Sequence, residues 1–436
     1  MNPHHSGFPM QLLRAVAQLA LLVAVFSQAA LPASAAPPNV VMILSDDQGW
    51  TDFGFMGHPH IRTPHLDKFA SQSLTFTRGY VPSSLCRPSL ASIITGLYAH
   101  QHKQTGNDPP KGTDRALLLN NVEQWPALPR LLAPLGYQSL QTGKWWEGNH
   151  RLGGFTHGMT HGDPARKGRH GDEGLKIGRE GMAPIADFLR DVGKEPFLIW
   201  YAPMLPHSPH TPPERLLARY QSLAPSIHVA RYWAMCEWFD ESCGELLSMF
   251  DERGLADNTI VVFVTDNGWI QNPQSPAYAP KSKRSPYDGG LRTPIMVRWP
   301  AKIKPRRDEQ TLVSSIDLAP TILAACGLQP RADLQGINLL DIAAGQPSAR
   351  TALYGEIFTH DAVEIDRPAA NLLFRWCVEG SQKLIVPQDA PVELYNVSAD
   401  PQETKNLAAT QPGDVVRLKK QIDAWWDARR EMRDES

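Results

Sequence analysis

The chain has 436 residues, enough for one large domain or two modest ones, and 42% of them are hydrophobic, as is typical of a globular protein. Its 43 basic and 45 acidic residues leave a net charge of −2, which gives no support to nucleic-acid binding. We therefore expect an enzyme that acts on a small or polymeric polar substrate.

Residues 1–35 have the pattern of a secretion signal. Arg14 precedes a mostly apolar run over residues 15–30, and Ala33-Ser34-Ala35 is typical of a cleavage site. A membrane anchor is the alternative reading, but the run is short for a span of about 20 residues. The sequence therefore predicts an exported protein, periplasmic or secreted, without stable membrane insertion.

Predicted strands and helices alternate along most of the chain. This alternation predicts an α/β fold with a large mixed, mostly parallel sheet covered by helices. Apolar runs typical of buried strands lie at residues 39–45, 138–142, 197–201, 259–265 and 294–299. Helical patterns lie at residues 63–71, 88–94, 127–135, 182–192, 229–253 and 317–326.

The pattern changes at about residue 351. Short predicted strands at 374–378 and 383–386 replace the alternation, and a last helix is predicted from about 415 to 432. We therefore predict a main domain over residues 36–350 and a smaller C-terminal α+β subdomain, with a small antiparallel sheet, over 351–436. The segment 148–181 is rich in Gly and His and is expected to be a long surface loop.

Oxygen-bearing side chains follow two of the predicted strands. Asp46 and Asp47 come after the first strand, and Asp266 and Asn267 come after a later one. Ligands of open parallel sheets bind beyond the carboxyl ends of the strands, and four oxygen donors suit a hard cation such as Ca²⁺ or Mg²⁺. The alternative is that these residues only end the strands as turn formers.

Cys86 lies in front of the helix predicted at residues 88–94. The unpaired N–H groups of a helix N-terminus stabilise a thiolate, an alkoxide or a bound anion. A purely structural cysteine is the alternative. The segment over residues 86–96, CRPSLASIITG, resembles the signature of type I sulfatases, in which C-x-P-S-R is followed by an apolar run and T-G.

Other blocks resemble that family in the same order along the chain, from about residue 39 to 407. They lie at residues 63–70, 142–145, 206–209, 252–268, 283–294, 316–322 and 393–401. The resemblance implies the alkaline-phosphatase-like fold of the sulfatases, with residues 36–350 as the catalytic domain. It also implies hydrolysis of a sulfated small molecule or glycan.

The resemblance implies a role for each matching residue. The residues implied to hold the divalent cation, Ca²⁺ or else Mg²⁺, are Asp46, Asp47, Asp266 and Asn267. Cys86 would be oxidised to formylglycine by a formylglycine-generating enzyme and would then supply the nucleophilic hydroxyl. Lys144 and Lys283 would contact sulfate oxygens, and His207 would donate a proton to the leaving oxygen.

Two positions depart from the family pattern. Leu90 stands where the signature has arginine, and Trp146 stands where the block G-K-W-H has histidine. Each change removes a charge-assisted hydrogen bond, an effect of about 1.5–3 kcal/mol. Arg87 and Arg292 are candidates to supply the missing charge, and Trp146 offers a flat face for stacking on a sugar ring.

Three functions are compatible with these residues. The first is an exported sulfatase, with a saccharide as the expected substrate. The second is a hydrolase of phosphodiesters or phosphonate esters on the same scaffold, and the third is a catalytically silent carbohydrate-binding relative. The retention of the cation residues, the nucleophile position, both lysines and His207 favours the sulfatase.

Overall fold

The computed structural model describes residues 36–162 and 172–434, together with residues 1, 3 and 168. The predicted signal segment therefore lies outside the described residues, apart from residues 1 and 3, as does part of the predicted loop 148–181. Within the described ranges, no helix combines the length and apolar character needed to cross a membrane.

A nine-stranded sheet forms the centre of the molecule, in the order β4-β3-β5-β1-β6-β7-β2-β8, with β9 paired to β2. Its strands are β1 (Asn39–Ser45), β2 (Leu74–Tyr80), β3 (Gln138–Gly143), β4 (His157–Gly158), β5 (Phe197–Ala202), β6 (Thr259–Thr265), β7 (Arg292–Arg298), β8 (Arg306–Asp308) and β9 (Val313–Ser314). Only the β6–β7 and β2–β7 pairs within this described sheet are antiparallel. The predicted mixed, mostly parallel sheet is therefore confirmed, although β2 was not predicted.

The helices pack on both faces of this sheet or on the C-terminal sheet described below. In chain order they are α1 (Pro64–Ser71), α2 (Cys86–Thr95), α3 (Ala99–His102), α4 (Leu128–Leu132), α5 (Ala183–Val192), α6 (Glu214–Tyr220), α7 (Ile227–Glu252), α8 (Asp288–Leu291), α9 (Leu318–Ala325), α10 (Leu339–Ala343), α11 (Pro368–Asn371), α12 (Pro412–Trp425) and α13 (Ala428–Asp434). Short 3₁₀ segments, such as Ala133–Leu135, connect some of them.

Alternation along β1 divides the core between the two faces. Val40, Met42 and Leu44 pack into a cluster with α2 and α9, whereas Val41 and Ile43 pack into a second cluster with α1, α5 and α7. Successive strand side chains point to opposite faces, so a strand buried on both sides is apolar throughout. This explains why β1 could be recognised as a continuous apolar run.

Two predicted helix boundaries are wrong for local reasons. Helix α7 starts at Ile227, two residues early, because the hydroxyl of Ser226 accepts a hydrogen bond from Val229 N and caps the helix. The predicted last helix is two helices, α12 and α13. Between them, Trp426 has an extended backbone and stacks on His100, with ring centroids 4.6 Å apart.

A second sheet follows near the C-terminus. Its four antiparallel strands, in spatial order, are β10 (Ala352–Phe358), β11 (Leu372–Glu379), β12 (Gln382–Pro387) and β13 (Glu393–Asn396). Trp376 of β11 packs in the same apolar cluster as β1 and donates a hydrogen bond from Nε1 to Pro82 O. The predicted C-terminal antiparallel sheet is confirmed, and it shares a hydrophobic core with the large sheet. The domain boundary at residues 350/351 stays a prediction.

Candidate active site

The ends of β1 and β6 bring the predicted cation residues together. The two strands are parallel neighbours with Ser45 opposite Thr265, so the residues that follow them emerge at one edge. Asp266 N donates to Ser45 O at 2.9 Å, and the Asp46 and Asp266 side chains are both buried. The register of two adjacent strands therefore places carboxylates from positions 220 residues apart in one site.

The neighbouring pair, Asp47 and Asn267, completes this edge. Asp47 N donates to Asp266 Oδ1 at 3.1 Å, and Asn267 Nδ2 donates to Asp47 Oδ1 at 2.6 Å. Asp47 has a φ of 60°, a left-handed backbone that aspartate tolerates better than most residues. This backbone turns the chain sharply after β1 and keeps two successive carboxylates at the strand end.

The donor atoms at this edge fit a hard divalent cation. Asp266 Oδ2 and Asn267 Oδ1 are buried and accept no hydrogen bond from any described residue. Asp266 Oδ2 has Lys144 Nζ as an ionic partner at 3.5 Å but no hydrogen bond, so both oxygens have lone pairs available for a cation. Donor atoms of Asp46, Asp47, Cys86 and His207 also lie within 4.8 Å of one another. The structure therefore places Cys86 and His207 beside the predicted cation residues.

The two carboxylates nearest Lys144 have opposite pKa shifts. Burial favours the neutral form of Asp46, but the nearby charges of Lys144, His207 and Lys283 together outweigh it and lower the pKa of Asp46 below its usual range. Burial and the charge of Asp46 together raise the pKa of Asp266 well above its usual range. The close approach of these two carboxylates therefore favours the proton-bearing form of Asp266 when no cation is bound.

Cys86 is the first residue of α2 and is 1% exposed. Leu85 precedes the helix in an extended conformation, so Cys86 lies in the first turn, at the positive end of the helix. Lys283 Nζ lies 3.1 Å from Cys86 Sγ and 2.7 Å from Asp47 Oδ2. The predicted nucleophile, one predicted sulfate ligand and one predicted cation ligand are therefore in direct contact.

Lys144 follows β3, which lies on the opposite side of β1 from β6 in the sheet, and its side chain reaches the same edge. It follows Gly143, whose φ is +74° and where an added Cβ would lie 1.8 Å from Ala202 O, so only glycine fits. Lys144 Nζ is 2.7 Å from Asp46 Oδ1 and 3.5 Å from Asp266 Oδ2. Although burial opposes its charge, Asp46 raises the pKa of Lys144 well above its usual value.

Burial likewise opposes the charge of Lys283, but Asp47 raises its pKa above the usual value. Both lysines therefore carry a positive charge at neutral pH. Their ammonium groups lie on either member of the carboxylate pair that follows β1, Lys144 on Asp46 and Lys283 on Asp47. The site thus has two fixed cations beside the nucleophile position, which suits an anionic substrate.

His207 lies in the loop after β5. Its Nε2 is 3.3 Å from Asp47 Oδ2, and its Nδ1 faces the carbonyl oxygen of Ser208. Because the Ser208 carbonyl and the Asp47 carboxylate both only accept, this geometry suits a ring that carries hydrogen on both Nδ1 and Nε2. Burial lowers the pKa of His207, while Asp47 opposes that shift. The predicted proton donor therefore lies beside the nucleophile.

His210 belongs to the same loop and was not predicted. It is buried between the rings of Tyr232 and Trp269, and burial lowers its pKa to about 4. Its Nε2 makes no hydrogen bond with any described residue. The only signal in the sequence is the repeated histidine in the segment PHSPH, residues 206–210.

The two departures from the family pattern are both buried. Leu90 is 4% exposed and packs in the apolar cluster on the α2 face of the sheet. Trp146 is 6% exposed, and its ring lies 5.9 Å from Lys144 Nζ and 5.2 Å from the guanidinium of Arg115. Stacking of a sugar on Trp146 stays a prediction, and this burial also gives the ring a role in packing beside Lys144.

The two arginines considered as replacements for the missing charge have other partners. Arg87 is fully buried and binds Glu147 through two hydrogen bonds, Nε to Oε1 at 2.8 Å and Nη2 to Oε2 at 2.5 Å. Arg292 donates to Thr77 O and covers the ring of Trp50 at 3.8 Å. The Arg87–Glu147 pair joins the nucleophile helix to the loop that carries Lys144, which no motif indicated.

The fold and the strand-end site together define a hydrolase of the alkaline-phosphatase type. The family profile described as Sulfatase matches residues 38–328, and a profile for the C-terminal part of N-sulphoglucosamine sulphohydrolase matches residues 280–427. The chain belongs to the sulfatase family and is a sulfuric ester hydrolase.

Relatives of known activity resemble most of the chain. N-acetylgalactosamine-6-sulfatase of Canis lupus familiaris is 30% identical over 76% of this chain and 72% of its own length. N-acetylgalactosamine-6-O-sulfatase of Bacteroides thetaiotaomicron is 25% identical over 87% and 91%, respectively. The solved structure of BT4656 in complex with its substrate D-glucosamine-2-N,6-O-disulfate has a TM-score of 0.72, with 20% identity, 91% coverage of this chain and 98% of its own. That structure supports the fold.

Proposed function

We propose that this sulfatase is exported and removes sulfate from a sulfated saccharide, with formylglycine at position 86 as nucleophile and Ca²⁺ at the strand-end carboxylates. The names of the two relatives, both N-acetylgalactosamine 6-sulfatases, support an amino sugar 6-sulfate as the first substrate to test. The secretion-signal pattern of residues 1–35 supports export.

The observation that carries this proposal is the contact of Cys86, Lys283 and Asp47. Position 86 lies at the N-terminus of α2 with a lysine 3.1 Å from its side chain, and that lysine also binds a cation-site carboxylate. An anionic sulfate group repels a nucleophile, so a catalyst must neutralise its oxygens. A helix N-terminus and two lysines at the nucleophile supply that positive potential.

The chain's own residues divide the work as follows. A formylglycine hydrate and a divalent cation, when present, supply a nucleophilic hydroxyl and a Lewis acid for the sulfate oxygens. Lys144 and Lys283 bind the remaining sulfate oxygens and orient sulfur toward position 86. Asp46 and Asp47 hold both lysines in place at 2.7 Å or less, which fixes the orientation before the substrate binds.

His207 is proposed to donate the proton to the leaving sugar oxygen. Asp47 Oδ2, 3.3 Å from Nε2, stabilises the protonated ring that this role requires. The Ser208 carbonyl accepts from Nδ1 and so fixes the ring orientation. Substitution of His207 is expected to slow substrates with poor leaving groups, such as sugars, more than aryl sulfates.

The test is sulfate release by protein co-expressed with a formylglycine-generating enzyme. The substrates are N-acetylgalactosamine 6-sulfate, a panel of sulfated glycans, 4-nitrocatechol sulfate and a phosphodiester control. Activity on sulfated sugars, lost in Cys86→Ala, is expected. A fully matured protein that is inert on every sulfate ester would contradict the proposal and favour the silent carbohydrate-binding reading.

A further inference from the structure

A mixed polar cluster borders the proposed sulfate site and has no part in the roles above. It consists of Asp108, Arg115, His360 and Asp361, and is called here the Arg115 wall. Asn107 joins it to the nucleophile helix. Asn107 Oδ1 accepts from Arg87 N at 3.1 Å, next to Cys86, and Asn107 N donates to His360 O at 2.8 Å.

The wall also lies close to Lys144, on the other side of the Trp146 ring. The Arg115 guanidinium lies over the Trp146 ring at 5.2 Å, and Lys144 Nζ lies 5.9 Å from the same ring. Arg115 Nη1 donates to Asn107 O at 2.9 Å and to Asp108 Oδ1 at 2.6 Å, which fixes the guanidinium in this position. One aromatic ring therefore separates a proposed sulfate ligand from the wall.

The charges of the wall are already paired within it. Arg115 is balanced by Asp108, and His360 Nδ1 contacts Asp361 Oδ1 at 2.5 Å. Exposure rises outward: the side chains of Asp108, His360 and Asp361 are 24%, 34% and 62% exposed. The wall therefore presents acceptors and donors to solvent, with its outermost charge negative.

We propose that the Arg115 wall binds hydroxyl groups of the sugar ring that carries the scissile sulfate and excludes a second sulfate from that ring. This inference rests on the proposed function. Carboxylates held by an arginine and a histidine accept hydrogen bonds from neighbouring sugar hydroxyls, while the arginine and imidazole N–H groups donate. A second sulfate at the same place would meet the Asp361 and Asp108 carboxylates, and like charges repel.

The test compares two substrates that differ by one sulfate, N-acetylgalactosamine 6-sulfate and N-acetylgalactosamine 4,6-disulfate. The matured wild type is expected to prefer the monosulfate in kcat/KM, with loss of the 6-sulfate followed by mass spectrometry. Asp361→Asn removes the outermost charge of the wall and is expected to lower that preference about five-fold. Asp389→Asn, an exposed residue in the turn between β12 and β13, makes the same charge change and is expected to leave the preference unchanged.

Arg115→Ala gives a second readout. It is expected to raise KM for the monosulfated sugar about ten-fold and to raise KM for 4-nitrocatechol sulfate, which has no sugar hydroxyls, by a smaller factor. Equal preferences in wild type, Asp361→Asn and Asp389→Asn, with normal activity on both sugars, would overturn the inference alone. A matured wild type that cleaves neither sugar nor 4-nitrocatechol sulfate would overturn the proposed function, and the inference with it.

Discussion

Two flanks of the Cys86 position are built in different ways. On the cation side, Asp46, Asp47, Asp266 and Asn267 follow two strands whose parallel register alone brings them together. On the opposite side, the nucleophile helix and the loop after β3 are joined by the buried Arg87–Glu147 pair.

The difference lies in what positions each flank. Backbone hydrogen bonding fixes the strand ends, so the register of β1 and β6 positions the proposed cation residues. The Arg87–Glu147 side-chain pair fixes α2 relative to the loop after β3, and another pair of residues could make an equivalent contact. Leu90 and Trp146 differ from the family pattern on the flank that side chains hold together, and there both are buried. We call the strand-end side the constant flank, because this chain keeps the residues of the family pattern there, and the other side the adaptable flank, because Leu90 and Trp146 depart from that pattern there.

The largest effect is expected on the constant flank. Asp266→Ala should abolish tight Ca²⁺ binding and reduce sulfate release by about 10³-fold or more, because the cation site loses a buried ligand. Metal analysis of the purified, matured protein measures the first effect. Asp257→Ala, an exposed aspartate just before β6, serves as the control. Calcium retained in Asp266→Ala, or zinc found in the wild type, would count against the assignment.

The adaptable flank is expected to show its largest effect in stability. Arg87→Met leaves Glu147 buried without its partner and should lower the free energy of unfolding by about 3–5 kcal/mol. The double variant Arg87→Met/Glu147→Leu should cost less than the single one, since no buried charge remains.

Urea denaturation measures both changes in the free energy of unfolding. Arg190→Met breaks the exposed Arg190–Asp187 pair and is expected to cost about 0–1 kcal/mol. Equal costs for Arg87→Met and Arg190→Met would show that the Arg87–Glu147 pair does not hold this flank together.

Lys283 lies where the two flanks meet, in contact with both Cys86 and Asp47. Lys283→Ala is expected to reduce kcat about 10²–10³-fold, since one fixed cation beside the sulfate is lost. The exposed Lys302→Ala should leave kcat unchanged. Steady-state kinetics on 4-nitrocatechol sulfate measures both variants, and a loss confined to KM would assign Lys283 to binding instead of to turnover.

The smallest effects are expected at the two departures themselves. Trp146→Ala should lower kcat/KM on the sulfated sugar about ten-fold more than on 4-nitrocatechol sulfate. An equal loss on both substrates would limit Trp146 to packing beside Lys144.

Restoring the family residues, Leu90→Arg with Trp146→His, should not improve activity on the preferred sugar, because an arginine at position 90 would enter an apolar cluster. If the matured wild type is inert and this double variant becomes active, the protein is a silent relative.

The sequence predicted the constant flank more fully than the adaptable one. Apolar runs gave β1 and β6, and the residues after them were expected at one sheet edge, where the structure places them. The short helical block after Cys86 was also expected, although α2 begins at Cys86 itself. In contrast, β2 was missed because its segment, LTFTRGY, mixes apolar and polar residues and contains a glycine.

The adaptable flank was unpredictable because its contacts join distant segments. Arg87 and Glu147 are 60 positions apart, and Asn107 and His360 are 253 positions apart. No local spacing records such pairs, and each residue alone resembles an ordinary surface charge. Burial of Trp146 was unforeseen for the same reason, since it depends on Arg115 and on the packing of the loop after β3.

The central claim is that residue 86 acts as a formylglycine nucleophile between these flanks. Its most direct test is to prepare the protein with graded levels of maturation and to measure, on each sample, the formylglycine fraction at residue 86 by peptide mass spectrometry and the rate of sulfate release. The rate is expected to rise in proportion to that fraction and to vanish when residue 86 is entirely cysteine. Full activity in protein whose Cys86 is unmodified would contradict the claim.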